Sequence, residues 1–361
     1  MSAAAKTIRL VTLPGDGVGP EVTSAALRVL ERALVDSGVA LEVAEHAIGG
    51  AALDQGQDPL PKASLDAARA ADAVLLGAVG GPRWDTAEVR PEAGLLGLRS
   101  GLGVFANLRP VKVWPGGERH SPLRDDRLLD TDLLFVRELT GGAYFGRPRG
   151  VGGTAPRRRG VDTIEYGETE IRRVAHVAFG LARQRRRHLS SVDKANVLAT
   201  SALWRDVLTE VGREYPDVEL EHCLVDSFAL RLLLDPRQFD VVVTENLMGD
   251  ILTDEAAALV GTLGVLPSAS GGGEGPWLYE PVHGSAPDIA GRGVANPLGA
   301  IATVAMLLRL TLRREDLAGA VEKAVGSVIA NGPLTPDMGG VVGTETVTAA
   351  VIERLASLVS A

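Results

Sequence analysis

Phe239-Asp-Val-Val-Val243, Thr244-Glu-Asn-Leu-Met-Gly249 and Asp250-Ile-Leu-Thr-Asp254 read in turn as a strand, a turn and the opening of a helix expected to run to 263. The valines form a short β-branched run, and beyond Gly249 the pattern turns helical. The same alternation recurs on both sides. Residues 7–13 read as a strand, 21–35 as a helix and 73–76 as a short buried strand. Ile171, Val174, Ala175, Ala178, Leu181 and Ala182 fall on one helical face. Residues 188–192 then read as a strand and 195–211 as a helix ending near Gly212. Strands alternating with amphipathic helices predict α/β architecture.

Asp250 and Asp254 carry the chemistry of that stretch. They lie past the carboxyl end of a strand, the edge where ligands collect in open α/β folds. A spacing of four puts both carboxylates on one helical face, about 6 Å apart. Like charges so close repel unless a cation lies between them, and all-oxygen ligation selects a hard ion, Mg²⁺ or Mn²⁺. The competing reading is a pair of acids complementing the dipole at a helix start. Asp226, ending the strand-like run 219–225, is a candidate third ligand.

Composition narrows the rest. At 361 residues the chain exceeds one ordinary domain. Its formal charge of −9 opposes nucleic-acid binding. Its single cysteine, Cys223, leaves no intramolecular disulfide and argues against a thiolate zinc site. The start of the chain reads as a strand and not as a signal peptide, and the longest apolar run, 298–308, is short of a membrane span. A cytoplasmic protein is expected.

Four further segments stand out. Leu13-Pro14-Gly15-Asp16-Gly17-Val18-Gly19-Pro20-Glu21 joins a strand to a helix, but Pro20 takes the slot of the third glycine in a dinucleotide fingerprint. The loop is therefore expected to make a tight turn. Residues 146–160, with five glycines, two prolines and five arginines, read as an exposed loop or arm. Residues 268–276 read as a glycine-rich connector and candidate domain crossing. The basic run 183–188 reads as a solvated helix end.

Arg99, Arg109 and Arg137 are expected at strand ends or in loops. Each alone suits a surface ion pair, but three beside a hard-metal site suggest a polycarboxylate substrate. Tyr144 lies close to Arg137 in sequence, and Lys194 follows a strand at an expected helix start. A lysine near Mg²⁺ and arginines suits a general base, although both residues also fit a structural role. His283-Gly284-Ser285-Ala286-Pro-Asp288-Ile289-Ala-Gly combines exposed backbone, a stacking ring and an acid able to meet ribose hydroxyls.

Together with Gly-Pro-Arg-Trp-Asp (81–85), Asn-Leu-Arg-Pro (107–110), Arg-Glu-Leu-Thr-Gly-Gly-Ala-Tyr-Phe-Gly (137–146), Val-Asp-Lys-Ala-Asn-Val (192–197) and Gly-Asp-Ile-Leu-Thr-Asp-Glu (249–255), these motifs closely resemble the metal-dependent β-decarboxylating dehydrogenases of the isocitrate/isopropylmalate family. The resemblance runs from the opening strand to the last helices. It implies two α/β/α domains sharing a long mixed sheet, and not a Rossmann fold. Residues 1–104 plus 262–361 would bind NAD. Residues 105–261 would carry dimerisation, metal and substrate, with an arm near 146–165. Arg99, Arg109 and Arg137 would clamp substrate carboxylates. Asp250 and Asp254 would hold Mg²⁺ or Mn²⁺, with Asp226 and the general base Lys194 entering from the other subunit of a homodimer. Tyr144 would be the general acid. The resemblance places adenosine on 284–296, including Ala295 and Asn296, and nicotinamide along Gly81 to Glu92, with His283 and Asn196 as further cofactor contacts. Asp288 would select NAD over NADP.

Within that resemblance, Leu95 and Leu96 precede Arg99 where isocitrate enzymes place polar residues. A leucine wall leaves a buried carboxylate unpaired at a cost of several kcal/mol, whereas burying an isopropyl group contributes about 2 kcal/mol. The expectation is NAD-dependent conversion of (2R,3S)-3-isopropylmalate to 4-methyl-2-oxopentanoate and CO2 in leucine biosynthesis. The alternatives are a sister enzyme for homoisocitrate, tartrate, malate or another alkylmalate, or a catalytically silent regulatory subunit. The loop 84–92 is about two residues shorter than usual for the family, and Ser227-Phe-Ala-Leu-Arg231 departs from its usual smaller or more polar residues.

Overall fold

The computed structural model describes residues 6–359 apart from Asp85 and Ala87. Those two positions, one in the Gly-Pro-Arg-Trp-Asp motif and both in the expected nicotinamide stretch, lie outside the described residues. The strands are β1 (Lys6–Gly15), β2 (Val39–Glu45), β3 (Ala73–Ala78), β4 (Ala106–Lys112), β5 (Asp132–Glu138), β6 (Gly150–Gly152), β7 (Arg159–Val161), β8 (His188–Asp193), β9 (Glu219–Leu224), β10 (Val241–Thr244), β11 (Pro267–Gly271) and β12 (Trp277–Pro281).

The chain divides into two compact units. One takes Met1–Val104, Val113–Pro122 and Val260–Ala361; the other takes Phe105–Lys112 and Leu123–Leu259. Both are α/β, and both hold mixed sheet, as expected for the fold class. In the first unit the strand order is β2-β1-β3-β12-β11, parallel except between β11 and β12. Its helix Leu298–Leu310 is buried on nearly every side, because it carries scarcely a polar residue and has no face suited to water. Gly17, at positive φ, lies against the Ser285 carbonyl, so the opening loop is a tight turn as expected.

In the second unit the order is β4-β5-β10-β8-β9, with β4 antiparallel to β5 and the other neighbours parallel. Parallel pairing brings the carboxyl ends of β5, β10, β8 and β9 to one edge. Residues 137–138, 244, 193 and 224 end there, and the helices carrying the candidate acids leave from it.

Several expectations need correction. The helix beyond β8 is Ala199–Gly212, four residues late. Asp193 accepts the Ala195 N–H and the Lys194 carbonyl accepts from Val197 and Leu198, so the chain turns once before the helix begins. Lys194 therefore follows the strand directly, as expected, but enters a turn and does not start a helix. On the helix Glu168–Gln184, Phe179 is buried and Leu181 only partly so. The segment 268–276 is no domain crossing: Ser268, Ala269 and Ser270 are buried in β11, and the glycines form the turn into β12 within one unit. The arm is as expected, with β6 and β7 forming an exposed antiparallel ribbon. The basic run is only in part the solvated helix end expected: Arg183 is exposed and forks Asp217, but Arg185 lies past the helix, partly buried, and bridges Asp132 and the buried Asp240. Among the described residues no helix is long and apolar enough to cross a membrane.

Candidate active site

The cluster begins with register. Asn107 on β4 stands directly opposite Arg137 on β5, and Arg109 lies two residues along, on the same face as Asn107. All three are buried; Arg137 is only 2% exposed. A buried guanidinium must be paired, and both are. Arg109 donates from Nε to Asn107 Oδ1 at 2.7 Å and from Nη1 to Thr253 Oγ1 at 2.6 Å. Arg137 donates to Asn246 Oδ1 from Nε at 3.1 Å and from Nη2 at 2.8 Å, and Nη1 pairs with Asp250 Oδ1.

The carboxylates come from the helix Asn246–Glu255. Glu245 caps it, its side chain accepting from Leu247 and Met248 N–H. Asp250 is thus mid-helix and Asp254 lies in the last turn, which corrects the expectation that they open a helix. Carbonyls dominate a last turn, where an anion is disfavoured, so dipole complementation does not account for Asp254. Arg109 reaches both acids, at 3.8 Å from Asp250 Oδ1 and 3.7 Å from Asp254 Oδ1.

Tyr144 completes the group. It sits in the short turn Gly142–Tyr144, and its hydroxyl donates to Asp250 Oδ2 at 2.8 Å. The Arg137 guanidinium lies 5.7 Å from its ring centroid. Burial opposes charge on Asp250, but Arg137, Tyr144 and Arg109 outweigh it and hold its carboxyl below the ordinary aspartate value. For Asp254 burial dominates, helped by the charge of Asp250, and its carboxyl is pushed up. Two oxygen donors in mutual repulsion, both side chains partly exposed, fit a hard divalent cation.

Lys194 and Asp226 meet at the same sheet edge, at the ends of the paired strands β8 and β9, and form an ion pair. Lys194 holds the Asp226 carboxyl below its usual range. Among the described residues no three His, Cys, Asp or Glu come together as a metal group, so Asp226 does not join Asp250 and Asp254 within the chain.

The remaining candidates, apart from Asn196 in the second unit, lie in the first unit. Arg99 pairs with Glu280 at 2.6 Å, and its Nε is buried with no partner among the described residues. Leu95 and Leu96 sit one turn and just under one turn before it on the helix Glu92–Leu102. Neither is core: Leu95 is half-buried and Leu96 is 37% exposed. Gly81 is half-buried, and Glu92 and Asn196 are exposed. The segment from His283 is shaped by Ala286 at φ 39° and by the short turn Pro287–Ile289, which leaves Asp288 exposed. The Ser285 carbonyl accepts from Val18 N–H. Ala295 N–H donates to Glu21, and Asn296 is engaged by Asp337 and by the Leu298 N–H. His283 contacts the Gly284 carbonyl through Nδ1, while Nε2 is closed from solvent and has no partner among the described residues. Such an orphaned ring nitrogen suits a bound cofactor.

Sequence reasoning missed Asn107, Thr253, Asn246 and Glu280. The first carried a signal: Asn107 and Arg109 alternate on one strand face in a quoted motif.

The family model described as Isocitrate/isopropylmalate dehydrogenase matches residues 9–355. The chain is 53% identical to the 3-isopropylmalate dehydrogenase of Anaeromyxobacter dehalogenans over 96% of its own length and 99% of the relative's. It is 52% identical to that of Heyndrickxia coagulans, with 96% of each covered. Among solved structures it resembles an isocitrate dehydrogenase from Methylococcus capsulatus, with a TM-score of 0.87 and 34% identity over 97% of this chain and 99% of that one. A β-decarboxylating dehydrogenase from Thermococcus kodakarensis gives 0.80 and 35%, over 98% and 97%.

Proposed function

The chain belongs to the isocitrate/isopropylmalate dehydrogenase family, and on that premise we propose that it oxidatively decarboxylates (2R,3S)-3-isopropylmalate to 4-methyl-2-oxopentanoate and CO2. The reaction is NAD-dependent, requires Mg²⁺ or Mn²⁺ and serves leucine biosynthesis in the cytoplasm. One observation carries this reading: two buried arginines, two helix-borne aspartates and a tyrosine hydroxyl converge at one sheet edge. The substrate has two carboxylates, a hydroxyl and an apolar branch, and the residues supply a partner for each.

Arg109 and Arg137, with Arg99, bind the carboxylates through their forked N–H groups. Lys194 takes the proton of the C2 hydroxyl as hydride leaves C2. Loss of CO2 from C3 leaves a carbanion equivalent, and Tyr144 delivers a proton to C3. When bound, NAD⁺ accepts the hydride and the divalent ion, held by Asp250, Asp254 and Asp226, stabilises the negative charge developing on substrate oxygen. Gly81, Glu92, Asn196 and the segment His283–Asn296 hold the cofactor, and the exposed Asp288 favours the ribose hydroxyls of NAD over the phosphate of NADP. The first unit is the NAD-binding domain and the second carries metal, substrate and the homodimer contact. Two copies are needed, because Lys194 and Asp226 serve the partner's site.

The sister-acid reading is weaker. Leu95 and Leu96 present hydrocarbon near Arg99 and suit an isopropyl group over a third carboxylate. The test follows NADH absorbance with Mg²⁺ and 3-isopropylmalate beside isocitrate, homoisocitrate, tartrate and malate, each repeated with NADP⁺ and with EDTA. EDTA-sensitive turnover of isopropylmalate with NAD⁺ is expected. Turnover of a sister acid alone would overturn the substrate assignment, and inertness toward all of them would favour a regulatory subunit.

A further inference from the structure

We propose that Asn246 is a positioning residue that aligns the substrate clamp Arg137 with the proton donor Tyr144. The inference rests on the roles proposed above for those two residues. Asn246 is the first residue of the helix that carries Asp250 and Asp254, yet its side chain takes no part in capping, which Glu245 performs. Asparagine is a poor helix former and is 1% exposed here, so neither propensity nor hydration explains it.

Its contacts do. Oδ1 accepts from Arg137 Nε and Nη2, occupying one edge of the guanidinium and turning Nη1 toward Asp250. Nδ2 donates at 3.3 Å to the Gly141 carbonyl, one residue before the turn that presents Tyr144. The backbone N–H of Asn246 donates to Tyr166 Oη at 2.9 Å, which holds the amide in place. One buried carboxamide thus ties together β5, the Tyr144 turn and the acid-bearing helix. Its side chain hydrogen-bonds to Arg137 and to Gly141, beside the Tyr144 turn, so it acts through those two residues.

The test compares wild type, Asn246→Ala and Asn246→Asp in the dimeric holoenzyme. Alanine removes both links. It is expected to raise KM for isopropylmalate about tenfold or more and to lower kcat, with KM for NAD⁺ and NADH binding by fluorescence close to wild type and the unfolding temperature lowered by the two hydrogen bonds that Arg137 loses. Aspartate keeps the acceptor facing Arg137 and loses the donor toward Gly141, so it should lower kcat while raising KM less than alanine does. In a Tyr144→Phe background, Asn246→Ala should cost little further kcat, because both changes remove the same proton delivery. Equal losses for both substrates with weakened NADH binding would reveal a merely structural role and overturn the proposal, as would wild-type kinetics in Asn246→Ala. A wild-type protein inert toward isopropylmalate would overturn the proposed function, and this role with it.

Discussion

The Tyr144 hydroxyl donates to one oxygen of Asp250 while Arg137 pairs with the other, so a single carboxylate links the proposed proton donor to the proposed substrate clamp. Burial, and then the hydrogen bond and charge of Asp250, push the phenol above the ordinary tyrosine value. The proton that C3 needs is therefore held on Tyr144 at neutral pH. Tyr144→Phe should lower kcat by about a hundredfold to a thousandfold while leaving NADH binding and unfolding temperature unchanged. Steady-state kinetics beside fluorescence titration checks it, and a loss under about threefold would remove Tyr144 from the chemistry.

Asp254 occupies the last turn of a helix, where no dipole effect explains an acid. Asp254→Asn should raise the Mg²⁺ concentration giving half-maximal activity by more than tenfold, with the metal-free protein no less stable than wild type. Metal titration and thermal unfolding in EDTA measure the two. Unchanged metal dependence would exclude Asp254 as a ligand.

Leu96 is too exposed to support the core, so its proposed task is contact with the isopropyl branch. Leu96→Ser should reduce kcat/KM for isopropylmalate about tenfold, matching roughly 1.5 kcal/mol of lost apolar contact, and leave the unfolding temperature within about 2 °C. A variant with wild-type kinetics would place the branch elsewhere.

Burial pushes the Cys223 thiol up to about 11. At pH 8 only about one molecule in a thousand carries the thiolate that reacts. A colorimetric disulfide reagent should label the native protein far more slowly than the urea-unfolded chain. Prompt stoichiometric labelling of the native state would contradict the burial.

Burial lowers the His283 pKa, partly offset by the Gly284 carbonyl and by Asp337. A histidine held neutral in the folded state contributes stability that is complete above the unfolded value near 6.5. That contribution is lost as pH falls through 6.5 toward the lowered folded value, because the unfolded chain binds the proton first. Unfolding temperature should therefore fall more steeply for wild type than for His283→Asn between pH 7.5 and 5.5. Parallel slopes would show that this ring does not control the loss.

What could be read along the chain was whatever depends on neighbours in sequence. The three valines of β10, the face of Ile171, Val174, Ala175 and Ala178, and the four-residue spacing of Asp250 and Asp254 are local patterns, and each stands in the fold as expected. The errors came where local signals compete. Glycines at 271–275 suggested a linker, but the turn they form is flanked by paired strands. The run from Ala195 suggested a helix, but Asp193 captured the Ala195 N–H and delayed its start.

The sequence by itself determined the α/β class, the family and the inventory of ionisable groups, since these follow from periodicity and from motifs of contiguous residues. Only the tertiary structure decided how those groups are paired. Asn107 faces Arg137 because β4 and β5 pair antiparallel in that register, and Asn246 holds Arg137 from 109 residues away. Glu280 likewise meets Arg99 across 181 residues. Partners so distant in the chain are chosen by strand order and by the need of a buried positive charge for a polar or acidic neighbour, conditions that exist only once the sheet has formed.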